Sequence, residues 1–150
     1  MKKSLLFVAT LATVSALSSS ALANSVGLRF GSILGAQYTL DNALGNNLDL
    51  RLAGYVDPFY STLLVGLQAD ALVTRPLGDA KNFSLFYGGG ANITTALGGS
   101  SAFGVGVQAT GGISYQLDPN ISVFADVSLG YSFGGYGFYR SGALGVNFKL

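Results

Sequence analysis

The sequence predicts an all-β protein: an antiparallel up-and-down transmembrane β-barrel, eight-stranded, behind an N-terminal signal peptide. Three observations carry this. Apolar and small or polar residues alternate over long runs, charged residues make up only 10% of the chain, and turn-forming residues punctuate the runs at short intervals. Alternation places successive side chains on opposite faces of a strand. A soluble strand protein clothes its second face in charge, whereas here that face carries mostly Gly, Ser, Thr, Asn and Gln. The charged fraction compares with roughly 25% in ordinary soluble domains.

The longest alternating runs meet at Asp118-Pro119-Asn120. Before it, Phe103, Val105, Val107, Ala109, Ile113, Tyr115 and Leu117 share one face; after it, Ile121, Val123, Ala125, Val127, Leu129, Tyr131 and Phe133 do the same. Proline supplies no ladder donor, so this tripeptide reads as the tip of a hairpin.

The chain opens with Met1-Lys2-Lys3, continues through an apolar segment over residues 5–17, and reaches Ala21-Leu22-Ala23. A basic start, a short apolar core and a small-x-small end define a secretory signal peptide, with cleavage expected after Ala23. An uncleaved anchor helix needs about 20 apolar residues, and Ser18-Ser19-Ser20 interrupts before that. Residues 24–150 then form one domain, with six basic residues against seven aspartates. That near-neutral balance lacks the clustered Lys and Arg of a nucleic-acid surface. Cysteine and histidine are absent, so disulfides, thiol chemistry and histidine-based catalysis are excluded.

Seven strands are delimited by pattern. Val26, Leu28, Phe30, Leu34, Ala36, Tyr38 and Leu40 belong to the first stretch, Leu48, Leu50 and Leu52 to the next, and Leu63 to Val73 at alternate positions to the third. Phe83, Leu85, Tyr87, Ala91 and Ile93 follow, then the two runs of the central hairpin, and finally Leu144, Val146, Phe148 and Leu150. Single-chain bacterial barrels have an even number of strands, so the first stretch is expected to break into two around Ser32.

Backbone that faces lipid must satisfy its hydrogen bonds within the protein, which a sheet achieves only by closing. Closure sends the Leu, Val, Ala, Phe and Tyr positions to lipid and the small and polar ones to the lumen. Tyr55, Phe59, Tyr60, Phe83, Tyr115, Phe133, Tyr136, Phe138 and Tyr139 fall near strand ends, as aromatic girdles require. Arg29, Asp49, Arg51, Asp70, Asp126 and Lys149 share the lumen register. Buried charges need partners, so these six are expected to form a neutral salt-bridged plug rather than an ion pathway.

The Tyr115-Gln116-Leu117-Asp118-Pro119-Asn120 turn, the Phe86-Tyr87-Gly88-Gly89-Gly90-Ala91 strand and the alternating C-terminal residues 144–150 resemble those of the small OmpA/OmpX/OmpW-like outer-membrane barrels. The resemblance implies an outer-membrane location, the lipid bilayer as partner, and assembly machinery that reads a final aromatic. Here Phe148 stands two residues before the terminal Leu150.

The functional expectation is a structural or surface-interaction barrel with a largely filled lumen, its surface ligand unknown. Tyr136, Phe138 and Tyr139 are the candidate contacts of a loop at residues 134–139, weighed against an ordinary girdle, which is the favoured reading. A narrow channel for small or apolar solutes, as OmpW-like proteins suggest, is the alternative. A soluble secreted β-sandwich binding module is the second fold; it explains the alternation but leaves a nearly uncharged exterior in water. The chain is read as no enzyme, with no catalytic, metal or cofactor site. Gly88-Gly89-Gly90 and Gly104-x-Gly106 lead into no helix, as a dinucleotide loop must, and glycines here relieve crowding inside a small barrel.

Overall fold

The computed structural model describes residues 24–45, 47–58, 63–97, 103–134 and 137–150, all strand or connection. The signal segment 1–23 lies outside the described residues, as do Phe59, Tyr60 and Tyr136. Eight strands follow one another: β1 (Asn24–Gly31), β2 (Leu34–Leu40), β3 (Leu48–Asp57), β4 (Leu63–Leu77), β5 (Ala80–Leu97), β6 (Phe103–Asp118), β7 (Ile121–Phe133) and β8 (Gly137–Lys149). Each pairs antiparallel with the next, and β1 pairs with β8 to close the barrel. The break in the first stretch falls at Ser32 and Ile33, where the Ser32 N–H and hydroxyl both donate to the Gly142 carbonyl. The closed single sheet replaces the two open sheets that a soluble sandwich requires.

The ladder fixes the shape. From Gly35 the register runs one way through Tyr55 to Gly66 on β4, and the other way through Arg29, Gly145, Phe124, Ser114 and Ser84 to Pro76 on the same strand. The two arrivals differ by ten residues, which is the shear. Eight strands with that shear tilt by about 40° and enclose an interior that side chains can just fill.

Turn chemistry explains the tight connections. The Asp118 carboxylate accepts the Asn120 and Ile121 N–H groups at 2.7 and 2.9 Å, an Asx turn that supports the proline. Gly78, at φ 63°, turns β4 into β5. Because the strand number is even, both termini lie at one end with the connections at 41–47, 78–79 and 119–120. The opposite, distal rim holds the turn at 32–33, the ends of β3, β5 and β7, and the starts of β4, β6 and β8.

The outward register is apolar and open. Val107 is 53% exposed and Val127 62%, values that belong to a surface and not to a core. Ala36 and Tyr38 on the same register are buried, so the exposed belt is broadest over β4–β8. Phe83 packs against Tyr115 with tilted rings at 4.6 Å near the terminal end, and Tyr131 meets Phe133 edge-on at 5.2 Å near the distal rim. The belt predicts that Val107→Arg or Val127→Arg, placing a cation at mid-belt, costs about 2–4 kcal/mol. Urea titration of the barrel refolded in bilayers measures this; unchanged midpoints for both variants mean that the outward register does not meet lipid.

Candidate functional site: a polar plug between two vestibules

Alternation delivers one inward side chain every second residue, so eight strands converge a layer of polar groups on the axis. Arg29 of β1, Arg51 of β3, Asp70 of β4 and Asp126 of β7 meet there, all buried. The Arg29 guanidinium donates to both Asp126 carboxylate oxygens at 2.8 and 3.0 Å. Arg51 donates to Asp126 Oδ2 at 2.8 Å and to Asp70 Oδ2 at 2.8 and 3.2 Å. Two cations and two anions thus alternate in a chain across the lumen, neutral in sum. Each arginine lies over an aromatic ring: Arg29 is 5.8 Å from the Phe124 centroid and Arg51 5.7 Å from that of Phe86.

Amides complete the layer. Gln68 and Gln108 donate to Asp70 at 2.8 and 2.6 Å, and Gln37 accepts from Arg29 at 2.9 Å while donating to Asn147. Asn92 donates to Gln108 and to the Tyr139 hydroxyl, which itself donates to Gln108. One connected network therefore draws on all eight strands. Charge-assisted bonds of this kind are stronger than neutral ones, and pairing with opposite charge is what makes buried charge tolerable.

The sequence groups six charged residues; the structure joins four of them. Asp49 sits toward the terminal end, accepting the Asn42 N–H at 2.9 Å and the Thr74 hydroxyl at 2.8 Å. Lys149 is exposed at the same end and lines the vestibule there. The three loop candidates also separate. Tyr136 lies outside the described residues; Phe138 and Tyr139 stand in β8, not in a loop. Phe138 points outward at 70% exposure, in the belt, and Tyr139 points inward to the plug. Tyr55, assigned to a girdle by its position near a strand end, also points inward, sharing a hydrogen bond of 3.1 Å with Thr94. Both tyrosines have inward parity, which distance from the strand end obscures.

The lumen is not wholly small and polar, as the sequence suggests. Leu72, Phe86 and Phe124 form a buried apolar cluster inside it. Glycines opposite make the room: a Cβ at Gly112 falls 2.4 Å from Phe86 Cζ, and one at Gly145 falls 2.3 Å from Phe124 Cζ. The Gln and Asn members of the network share the charges' inward parity, most visibly in Gln68-x-Asp70, and that spacing is the signal that finds them.

The plug divides the interior. Toward the terminal end lies a cavity of about 380 Å³, bordered by Asp49, Thr74, Phe86, Phe124 and Lys149 among others. Toward the distal rim lies one of about 300 Å³, bordered by Tyr55, Asp57, Gln68, Ser132, Tyr139 and Ser141 among others. In the rim loop at the terminal end, burial and then the neighbouring Asp49 push the Asp41 carboxyl above its ordinary value, with Lys149 pulling it down.

A closed eight-stranded barrel with an apolar exterior and a filled polar lumen defines the architecture of the small outer-membrane barrels, and the resemblance read from the sequence holds at the level of the fold. Among solved structures, Neisserial surface protein A is similar at a TM-score of 0.59 and 20% identity, over 85% of this chain and 94% of that one. The N-terminal β-barrel domain of Pseudomonas aeruginosa OprF gives 0.63 and 14%, over 86% and 96%. The Yersinia pestis outer membrane protein Ail gives 0.52 and 13%, over 86% and 99%. No protein-family model matches the sequence, and no curated protein matches it.

Two outcomes follow. Asp126→Ala strands two buried arginines and is expected to cost about 3–5 kcal/mol, against about 1 kcal/mol for Asp49→Ala at the rim; parallel urea titrations measure both. Asp41, with its folded-state pKa raised, binds its proton more tightly when folded, so its charged form opposes folding at neutral pH. Asp41→Asn therefore raises the unfolding midpoint at pH 7, and the gain disappears once the pH falls below the ordinary carboxylate range.

Proposed function

We propose that this chain is a small barrel of a bacterial outer membrane, exported through a cleaved signal peptide, with a structural or surface-interaction role and no enzymatic activity. The observation that carries this reading is the Arg29–Asp126–Arg51–Asp70 chain, which fills the lumen with matched charge while the outside stays apolar. A protein built to pass solutes gains nothing from a desolvated neutral layer at its midpoint. Two of the three similar solved structures are a surface protein and an outer membrane protein by their descriptions, and that supports the location. Entry from the periplasm would leave both termini on that side, with the distal rim facing outward. The bilayer is the partner, and the alternating C-terminal strand with Phe148 is the segment for assembly machinery to read.

A second reading, a narrow channel for small or apolar solutes, draws on the two vestibules. They approach each other from opposite ends, and only the plug lies between them. Single-channel recording in planar bilayers separates the two. The plugged barrel is expected to show no steady conductance, and Asp126→Asn, which removes the shared anion, is expected to produce openings. Steady conductance by the unaltered barrel moves the assignment to a channel.

A further inference from the structure

The barrel wall is uneven at the distal rim. The β1–β2 hairpin turns at Ser32 and Ile33, while β8 continues beyond it to Gly137. The last pair between β1 and β8 is Gly31 with Ala143, followed by three bonds between Ser32 and the Gly142 backbone. The Gly142 N–H and carbonyl face β1, so those of Arg140 and Phe138, two and four residues on, face the same way. No described strand pairs with that edge. Above the short hairpin, a notch thus opens between β8 and β3, and the distal vestibule reaches it, with Ser32, Ile33, Arg140 and Ser141 on its border.

Unpaired backbone in hydrocarbon is costly, so the notch belongs at the level of the lipid headgroups. The outward register agrees. Its basic side chains lie toward the two ends: Arg75 opposite Leu85, with Lys81 at the start of β5, toward the terminal end, and Arg140 opposite Leu129 toward the distal rim. From Arg75 the ladder passes Leu85, Ile113 and Ala125 to Leu144, and Arg140 lies four residues nearer the distal rim. With about 3.3 Å per residue, about 4.8 Å between strands and a tilt of about 40°, the two arginines stand about 22 Å apart along the axis. An apolar band is about 25 Å tall, so they bracket it.

The two are not equivalent. Arg75 borders neither vestibule. Arg140 stands at the mouth of one, beside N–H groups that no described strand pairs, and Ser132 inside that vestibule has a buried hydroxyl without a hydrogen-bond partner among the described residues. Below Arg140 on the outer face comes Gly142, opposite Val127, then Leu144 beside Phe30. The missing side chain leaves a furrow between exposed apolar neighbours.

We infer that the notch is a lipid headgroup site: the Arg140 guanidinium and the β8 edge bind the phosphate of a lipid in the distal leaflet, with an acyl chain along the Gly142 furrow. This rests on the membrane reading above. The test is native mass spectrometry of the barrel refolded in detergent, titrated with dioleoyl phosphatidic acid, with dioleoylglycerol (the same chains without phosphate), and with inorganic phosphate. One phosphatidic acid per barrel is expected. Loss of a charge-assisted bond of about 1.5–3 kcal/mol means that Arg140→Gln weakens it about tenfold or more, while Arg140→Lys keeps most of the affinity and Arg75→Gln leaves it unchanged. Equal binding by Arg140→Gln and the parent overturns the site. So does equal binding of dioleoylglycerol, which makes the furrow a reader of chains alone, or of inorganic phosphate, which makes it a soluble-anion site. Heat-modifiable gel mobility on the same samples keeps the two readings apart: a variant that folds but does not bind refutes the site, and a parent chain that never folds in detergent or lipid refutes the membrane reading beneath it.

Discussion

Pairing of β1 with β8 is the constraint on which everything else in this molecule depends. An open eight-stranded sheet has two edges of unsatisfied N–H and carbonyl groups, here along β1 and β8. Joining Gly27 to Asn147 and Arg29 to Gly145 removes both edges except in the notch above the β1–β2 hairpin. Once closed, the sheet has an inside and an outside, and strict alternation assigns every strand residue to one of them. The apolar exterior and the polar interior are two consequences of one geometric act.

The interior shows how small the margin is. A shear of ten on eight strands leaves a space that side chains just fill, so each large inward group needs a small one opposite. Gly112 and Gly145 make room for Phe86 and Phe124, and those rings lie beside the arginines whose charges the two aspartates neutralise. Packing and electrostatics are coupled here: moving a ring moves the guanidinium it faces, and a displaced guanidinium leaves a carboxylate uncompensated. Among the described residues, the Arg29 Nε is the one charged donor of the plug without a hydrogen-bond partner.

The two ends are built differently. At the terminal end, Asp49, Thr74, Asn42 and Lys149 border a polar cavity, and β4 and β5 run past the start of β3. At the distal rim the hairpin lengths are unequal, and the shortest one exposes the edge of its neighbour. Lipid-facing aromatics occur at both ends, whereas the outward cations differ in setting, Arg75 on continuous wall and Arg140 beside a gap.

Much of this was legible in the residues. Period-two alternation in β6 and β7, the scarcity of charge and the even-number rule for barrels together gave the fold class and the break at Ser32, because facing and parity follow from backbone geometry alone. The shared parity of Arg29, Arg51, Asp70 and Asp126 was equally visible. Parity says which side of the sheet a residue occupies but not its height along the axis, and height depends on shear, which is a property of the closed ring. That is why parity does not separate Asp49 and Lys149 from the plug residues and why the Arg140 notch has no signature in the chain; Phe138 and Tyr139 follow a glycine-rich turn signal, which hides that β8 already begins at Gly137. The sequence by itself determined that there would be a barrel with a polar inside; only closure, by setting the register between β1 and β8, decided which of its polar residues would meet.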